Sequence, residues 1–282
     1  MRRIFILSLF LVFAISNAYS QSGFKKKDDK KLFRFDKPSI EISYGISDIN
    51  LSNSALNLTD AGLFELKLGF TMEKESKFGK NTLKYDNKFL FLSNASNDNL
   101  SKNQSAEDVK NSMWRFGFGD KSGYGVKLGS VSILPYNSGS FAWTEFEYEV
   151  NNNLTDADYS KLEDFKGTFR FGSTWEGGIN FQIFNGFSIE PKYEISDVFP
   201  RHLFGKQLMS SMLEATGLFL IDGFTTRILK NSPVAGTFVN FVLKNAYEFG
   251  FYQLRRSQMN WPFTSTAPLR YNTFKLGMTF IF

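Results

Sequence analysis

The feature that most constrains the fold is a two-residue alternation of apolar and polar side chains, which recurs along most of the chain after Pro38. In the segment 64–72, for example, apolar residues at even positions alternate with charged or small residues at odd positions. A period of two places successive side chains on opposite faces of a β-strand. The pattern therefore predicts an all-β protein in which each strand has one apolar face.

The face opposite the apolar one combines charged residues with glycine, as at Gly45, Gly69, Gly117 and Gly277. A soluble sandwich or barrel has the same alternation with its apolar face turned inward. Two properties favour a membrane barrel instead. Strands of about ten residues with nearly unbroken apolar faces match a lipid-facing band, and glycines beside long charged side chains fit a crowded, narrow interior. We predict an antiparallel up-and-down transmembrane β-barrel.

The first twenty residues have the layout of a secretory signal peptide. A basic start, Met1 to Arg3, precedes the apolar run Ile4 to Ile15, and small residues at Ala18 and Ser20 offer a cleavage site. The apolar run is shorter than the roughly 20 residues that a membrane-spanning helix requires. We predict a signal peptide at 1–20, a polar lysine-rich leader at 21–37 and a β-barrel at 38–282. Because the signal peptide predicts that the protein is exported, we expect no nucleic-acid partner.

The last eight residues carry a recognisable pattern. Lys275, Gly277, Phe280 and Phe282 stand at the polar, glycine and two aromatic positions of a motif that ends at the carboxyl terminus. This segment resembles the C-terminal signature of bacterial outer-membrane β-barrel proteins. The resemblance implies location in the outer membrane of a Gram-negative bacterium, contact with its lipid, and recognition by the barrel-assembly machinery. It implies no particular activity.

The alternation predicts about ten strands, with eight or twelve as other even counts, and with a helical insertion at 199–243 before the last two strands. This count takes 120–123 as a tight turn and 245–254 as the penultimate strand. Two strands after the insertion would place it at the same end of the barrel as the chain termini, on the periplasmic side.

The insertion departs from the strand pattern. Phe204, Leu208 and Met212 recur at four-residue spacing, which is typical of an apolar helix face. After the helix-start signal at 231–233, a second apolar stripe follows. We predict that both stripes contact lipid or an envelope protein partner; the second consists of Val234, Phe238 and Phe241. The helices could lie on the membrane surface, plug the barrel or dock a partner.

The charged residues of the strands are expected to face the lumen. Acidic and basic residues nearly balance there, which favours mutually paired charges over a selective, open pore. The predicted lumen charges include Glu145, Glu147, Glu149, Arg115, Lys127 and Arg170. Other inward positions of the alternation carry Glu41, Glu65, Lys67, Glu176, Glu190, Lys192 and Glu194.

Composition limits the chemistry that such a barrel could perform. The chain has no Cys and a single His, which excludes thiolate metal sites and any site that requires two imidazoles. His202, near Asp197 and Glu194 in sequence, is the one candidate general base for a barrel lipid hydrolase; the simpler interpretation is an interfacial histidine. No nucleotide-binding or metal-binding motif is present. We therefore expect no enzyme activity, cofactor or metal.

Two function hypotheses follow from these expectations. The first is a small outer-membrane barrel with a structural, anchoring or complex-subunit role and no open pore. The alternative is a transporter of a hydrophobic small molecule that is gated or lined by the helical insertion. Whether the insertion enters the lumen distinguishes the two.

Overall fold

Over the residues that the structure describes, 37–52, 58–100, 109–149 and 155–282, the chain forms a closed barrel of eight antiparallel strands in a computed structural model. Each strand pairs with its neighbours in sequence, and β8 closes on β1. The strands are β1 (Lys37–Leu51), β2 (Ala61–Glu75), β3 (Thr82–Ser96), β4 (Asn111–Leu128), β5 (Val131–Tyr148), β6 (Arg170–Phe184), β7 (Phe187–Val198) and β8 (Leu269–Ile281). The predicted signal peptide and the leader, apart from Lys37, lie outside the described residues.

The predicted number of ten strands is wrong for two local reasons. The segment 120–123 is not a turn: β4 continues through it, and Lys121 points into the lumen. The segment 245–254 is helical, because its aromatic residues also satisfy the helical spacing that brings Tyr247 against Phe251, with ring centroids 5.9 Å apart. The up-and-down antiparallel topology is confirmed.

The two ends of the barrel differ in their connections. The short-turn end has the connections 76–81, 129–130 and 185–186, and in the last two Gly129 and Gly186 adopt positive φ angles of 67° and 86°. The long-loop end has the other four, including α1 (Asp156–Glu163) between β5 and β6. The helical insertion also begins there. Because one strand follows it rather than two, the insertion is joined to the end opposite the start of β1 and the end of β8, which corrects the predicted periplasmic attachment.

The barrel has an apolar exterior and a charged interior over most of its height. Leu90 and Phe274 point outward and are 66% and 63% exposed. Glu65, Lys67 and Lys275 point inward and are almost fully buried. A soluble barrel has the opposite arrangement, because it buries its apolar side chains away from water. The exterior is therefore a surface for lipid.

This arrangement inverts near the long-loop end. In β5 the outward residue Trp143 is followed by Glu145 and Glu147, which also point outward, while the inward residues become Phe146 and Tyr148. The two inward aromatic residues belong to an apolar cluster that fills this end of the barrel. Its other members are Ile49, Leu51, Leu58, Ala61, Leu63, Ala95, Val109, Met113, Leu162, Phe165, Val198, Leu269 and Tyr271. The strands thus extend beyond the lipid-facing band into a region with a water-facing exterior.

The helical insertion is a hairpin of two long helices, α2 (Phe204–Asn231) and α3 (Pro233–Arg255), which meet at Ser232. It therefore extends twelve residues beyond the predicted boundary at 243. The contacts of α3 are with strands β3 to β6 on the outside of the barrel. Among the described residues, no helix is both long enough and apolar enough to qualify as a membrane-crossing helix.

Candidate functional site: the lumen network and the external hairpin

Ten buried charged side chains fill the middle of the barrel and form what we call the lumen network. Five are carboxylates and five are cations, so their formal charges cancel. All are less than 6% exposed. The members are Glu41, Glu65, Glu176, Glu190, Glu194, Lys67, Arg115, Lys121, Lys192 and Lys275.

Lys275 of β8 is at the centre of this network. Its Nζ lies 2.8 Å from Glu65 Oε1 and 2.7 Å from Glu176 Oε2, and it also donates to Glu194. Carboxylate oxygens of these three glutamates lie within 4.8 Å of one another, a spacing that could hold a metal ion. The ammonium group of Lys275 is bonded to all three, so it supplies the positive charge that a metal would otherwise provide.

The remaining cations connect the network across the lumen. Lys121 donates to Glu41 and lies 2.6 Å from Glu190, which also accepts a hydrogen bond of 3.2 Å from the Tyr136 hydroxyl. Arg115 binds Glu194 at 2.5 Å and Glu65 at 3.2 Å, and so joins β4 to β7 and β2 across the lumen. Buried charges are stable only when partners satisfy them, and here each charge has a partner from another strand.

The structure separates the predicted lumen charges. Arg115 belongs to the network, and Lys127 is exposed at the short-turn end of β4. The prediction that Glu145 and Glu147 face the lumen is wrong, because they occupy outward positions beyond the lipid-facing band. The prediction is also wrong for Glu149, which is exposed beyond β5. Arg170, at the start of β6, is in register with the inward residue Thr144 but outside the network, and it donates to the Pro200 carbonyl at 3.1 Å.

Lys121 is the network residue that the sequence analysis missed. Its inward position follows from continuing the alternation of β4 through Gly117 and Gly119. Interpreting 120–123 as a turn interrupted that alternation. The signal was therefore present in the spacing, but the local turn propensity of Asp, Lys, Ser and Gly concealed it.

The two helices of the hairpin meet along a seam of polar contacts. Asn240 Nδ2 donates to Thr225 Oγ1 at 3.0 Å, and Lys244 Nζ lies 2.8 Å from Asp222 Oδ1. Nearer the long-loop end, Arg255 lies 2.9 Å from a carboxylate oxygen of Glu214 and donates to Ser210. Asp222 and Glu214 of α2 are therefore paired with Lys244 and Arg255 of α3 across the seam.

The face of α3 that meets the barrel rests on small and aromatic residues of the outer wall. Asn245 Nδ2 donates to the carbonyl of Tyr136 at 3.3 Å, and Asn245 Oδ1 lies directly over Gly177, where a Cβ atom would come within 2.4 Å of it. Trp175 packs against Phe249 and Tyr252, with ring centroids 6.0 and 6.5 Å apart. Gly177 thus permits the close approach of the helix.

The hairpin is fastened to the barrel at its base by a buried ion pair on the outer wall. Arg270 of β8 binds both carboxylate oxygens of Asp197 of β7, at 2.6 and 2.7 Å, and donates to the carbonyl of Tyr252 at 2.5 Å. At the other end, Pro233 lies beside Gly79 in the β2–β3 connection, where an added Cβ atom would come within 3.2 Å of the proline ring. The hairpin consequently extends along the outer wall from the long-loop end to the short-turn end.

Most of the residues predicted for lipid or partner contact lie on the outer surface of the hairpin. Phe204, Met212, Val234 and Phe238 are 55%, 52%, 48% and 49% exposed. The other two predicted residues, Leu208 and Phe241, are half-buried. All six predicted residues therefore lie on the hairpin, and four of them are exposed.

His202 lies where the chain leaves β7, and its ring packs against Phe171 at 5.3 Å. Burial and the positive charge of Arg170 lower its pKa. In the described part of the chain, no hydrogen bond or ion pair joins His202 to a carboxylate. The arrangement lacks the orienting partner that a histidine general base requires.

The C-terminal motif occupies both faces of β8. Lys275 and Gly277 point into the lumen, whereas Phe280 and Phe282 point outward and are 39% and 70% exposed. Gly277 lies against Ser43, where a Cβ atom would be 2.8 Å from the hydroxyl oxygen. The motif therefore combines inward residues that suit the crowded lumen with outward aromatic residues that suit lipid.

A closed antiparallel barrel with a lipid-facing exterior, a polar interior and short turns at one end is a transmembrane barrel of the outer-membrane type. The protein is thus a small outer-membrane β-barrel, in agreement with the location predicted from the sequence. Among solved structures, the chain is similar to Neisserial surface protein A, at 6% identity and a TM-score of 0.42, with 87% of this chain and 97% of that chain covered.

The chain is also similar to Ail, the attachment invasion locus protein of Yersinia pestis, at 10% identity and a TM-score of 0.34, with 87% of this chain and 98% of that chain covered. No family model matches the sequence, and no curated protein matches it.

Proposed function

We propose that the protein is a closed structural barrel, an anchor or complex subunit of the outer membrane that conducts no ions and catalyses no reaction. The observation that carries the proposal is the lumen network, in which Lys275 occupies the centre between Glu65, Glu176 and Glu194. A selective pore needs a water-filled path and an excess of one charge sign along it. The network offers neither, because its carboxylates and cations are equal in number and mutually bonded.

Apolar residues on both sides of the network support the same conclusion. Phe146 and Tyr271, which are at most 1% exposed, belong to the cluster at the long-loop end. On the side of the short-turn end, Leu83, Tyr85 and Leu134 pack with Tyr136. In a barrel of this size side chains fill the interior, so an ion would have to cross apolar, charged and aromatic layers in turn.

The transport alternative requires the helical insertion to gate or line a path through the barrel. The contacts of α3 are with the outer wall, as in the packing of Phe249 against Trp175. This placement favours a structural role over transport of a hydrophobic molecule. The C-terminal residues Lys275, Gly277, Phe280 and Phe282 remain our proposed contact with the barrel-assembly machinery.

The test is conductance of the purified protein in planar bilayers. We expect wild-type protein to show no steady channels. The double variant Lys121→Ala with Glu190→Ala removes one cation and one carboxylate, keeps the network neutral and leaves space, so its conductance should rise above that of wild type. Large, stable, ion-selective channels from wild-type protein would contradict a closed barrel and support transport. Lys127→Ala, the same truncation at an exposed position outside the lumen, is the control.

A further inference from the structure

We propose that the outer face of the α2–α3 hairpin is immersed in the bilayer, where lipid acyl chains cover it. The barrel and the hairpin then lie at the same depth in the hydrocarbon core. The proposal rests on the barrel's membrane location and is independent of whether the lumen is closed. Four observations carry it: the height of the hairpin, the position of its exposed charges, its polar inner seam and the composition of the wall beneath it.

The first observation is that the hairpin runs parallel to the membrane-spanning wall. Its base is held at the long-loop end by Arg270 and Asp197, and its tip lies at the short-turn end, with Pro233 beside Gly79. Between these points Asn245 touches the wall at Gly177. An element that lies on the outside of a lipid-facing wall over this height passes through the same depth of the bilayer.

The second observation concerns the exposed charges of α2, which lie near its ends apart from Asp222, whose side chain is 49% exposed and bound to Lys244. Lys206 lies near the long-loop end, and Arg227 and Lys230 lie near the tip. The twenty residues between, 207–226, span about 30 Å at the helical rise of 1.5 Å per residue, which is the thickness of the hydrocarbon core. Because α2 makes its polar contacts with α3, only its outer face needs to be apolar at this depth, and the whole helix need not be as apolar as a membrane-crossing helix. Large apolar side chains are exposed along this interval: Met209, Met212, Leu213, Phe219, Leu220 and Phe224.

The third observation is that the charges within this interval are paired with charges of α3. Asp222 binds Lys244, and Glu214 binds Arg255. Glu248 of α3 is also buried. Paired polar groups between helices, with small residues at the contact, are typical of helix packing in membranes.

The fourth observation is a break in the apolar exterior beneath the hairpin. One row of register partners runs from Ser122 through Asn137 and Gly177 to Tyr193 and then Phe274. On the open wall Phe274 is apolar and 63% exposed. Three outward residues of the same row, Ser122, Asn137 and Gly177, are polar or small. Polar groups on the lipid face destabilise a barrel, so this wall is suited to being covered by a helix.

The experiment measures collisions of a spin label with oxygen, which concentrates in lipid, and with a water-soluble nickel chelate. Because the chain contains no cysteine, single-cysteine variants can be labelled without a background. The test positions are Leu220→Cys on α2 and Phe238→Cys on α3. Leu90→Cys on the open wall is the lipid control, and Tyr159→Cys on α1 is the water control. The protein is reconstituted in phosphatidylcholine vesicles.

We expect the labels at Leu220 and Phe238 to lose nickel collisions and gain oxygen collisions to the same extent as the label at Leu90. Nickel collisions as frequent as at Tyr159 would place the outer face in water and overturn the proposal. Low collision rates with both reagents, with an immobilised spectrum, would show that protein rather than lipid covers the face, and would also overturn it. Conductance plays no part in the readout, so this outcome and that of the closed-barrel proposal are separable.

Discussion

Replacing Lys67 by methionine tests whether the lumen network stabilises the barrel as tightly paired charges should. Lys67 Nζ lies 3.0 Å from Glu176, 3.4 Å from Glu65 and 3.8 Å from Glu41, and its side chain is 5% exposed. Methionine has a similar length and no charge. Lys67→Met therefore preserves packing while it leaves three buried carboxylates short of one cation.

The expected loss of unfolding free energy follows from the burial of the three glutamates. Removing one member of a buried ion pair costs about 3–5 kcal/mol, because the uncompensated charge cannot regain its hydration. With a dependence on urea of about 2 kcal/mol per molar, a loss of about 4 kcal/mol lowers the unfolding midpoint by roughly 2 M. The total stability of a domain is about 5–15 kcal/mol, so the variant should fold but unfold much earlier.

The assay is urea unfolding of protein refolded in detergent micelles, followed by tryptophan fluorescence and by the heat-modifiable gel mobility of the closed barrel. Lys127→Met is the matched control, since it makes the same chemical change at an exposed position. The double variant Lys67→Met with Glu176→Gln removes one charge of each sign. It should be about 1–3 kcal/mol more stable than the sum of the single changes predicts. A midpoint for Lys67→Met equal to that of Lys127→Met refutes the reasoning.

Three further changes probe the outer parts of the molecule. Glu147→Gln should alter the free energy of unfolding by less than about 0.5 kcal/mol, because Glu147 is exposed on the outer face of β5; a loss comparable to that of Lys67→Met in the same urea titration contradicts its outward position. Gly177→Val should displace the hairpin, because Asn245 occupies the space of the new side chain; protease cleavage within 204–255 should accelerate while gel mobility still reports a closed barrel, and Gly139→Val, at a glycine with open space, is the control. Replacing Phe280 and Phe282 by Ala should leave export intact and reduce insertion into the outer membrane, measured by fractionation of cells; wild-type insertion of the variant argues against the predicted assembly signal.

The barrel could be predicted from the sequence because lipid imposes a regular pattern. Each strand that crosses the bilayer must satisfy its backbone groups by pairing and must turn apolar residues outward. Segments such as 64–72 therefore reveal the strand, its face and its inward charges Glu65 and Lys67 together. The position of Arg115 in the lumen follows from the same alternation in β4.

The errors arise where the environment changes while the periodicity does not. Along β5 the alternation continues unbroken from Trp143 to Tyr148, but water replaces lipid outside the barrel. Glu145 and Glu147 were assigned to the lumen because a period of two fixes which residues share a face and not which face is inward. The correct face follows from counting through the strand from residues whose orientation is already known, such as Phe141.

Tyr247 and Phe251 show a second limit. In the segment 245–254 aromatic residues at alternate positions satisfy a strand, while the four-residue spacing of Glu248 and Tyr252 satisfies a helix. Local spacing cannot choose between them. The choice is made by contacts with residues far along the chain, such as the packing of Trp175 on Tyr252.

The polar strip on the outer wall and the apolar outer face of the hairpin have one physical explanation. Asn137 and Ser122 would be poorly accommodated against acyl chains, and Leu220 and Phe224 would be poorly accommodated in water. Packing the hairpin on the wall removes both costs, because Asn245 of α3 meets Asn137 on the wall and the apolar outer face of the hairpin replaces the missing apolar exterior. The sequence therefore contains a usable signal: outward positions that lose their apolar character on neighbouring strands, together with an insertion that has excess apolar residues. Where both occur in one barrel sequence, we expect the insertion to lie against that wall rather than inside the lumen.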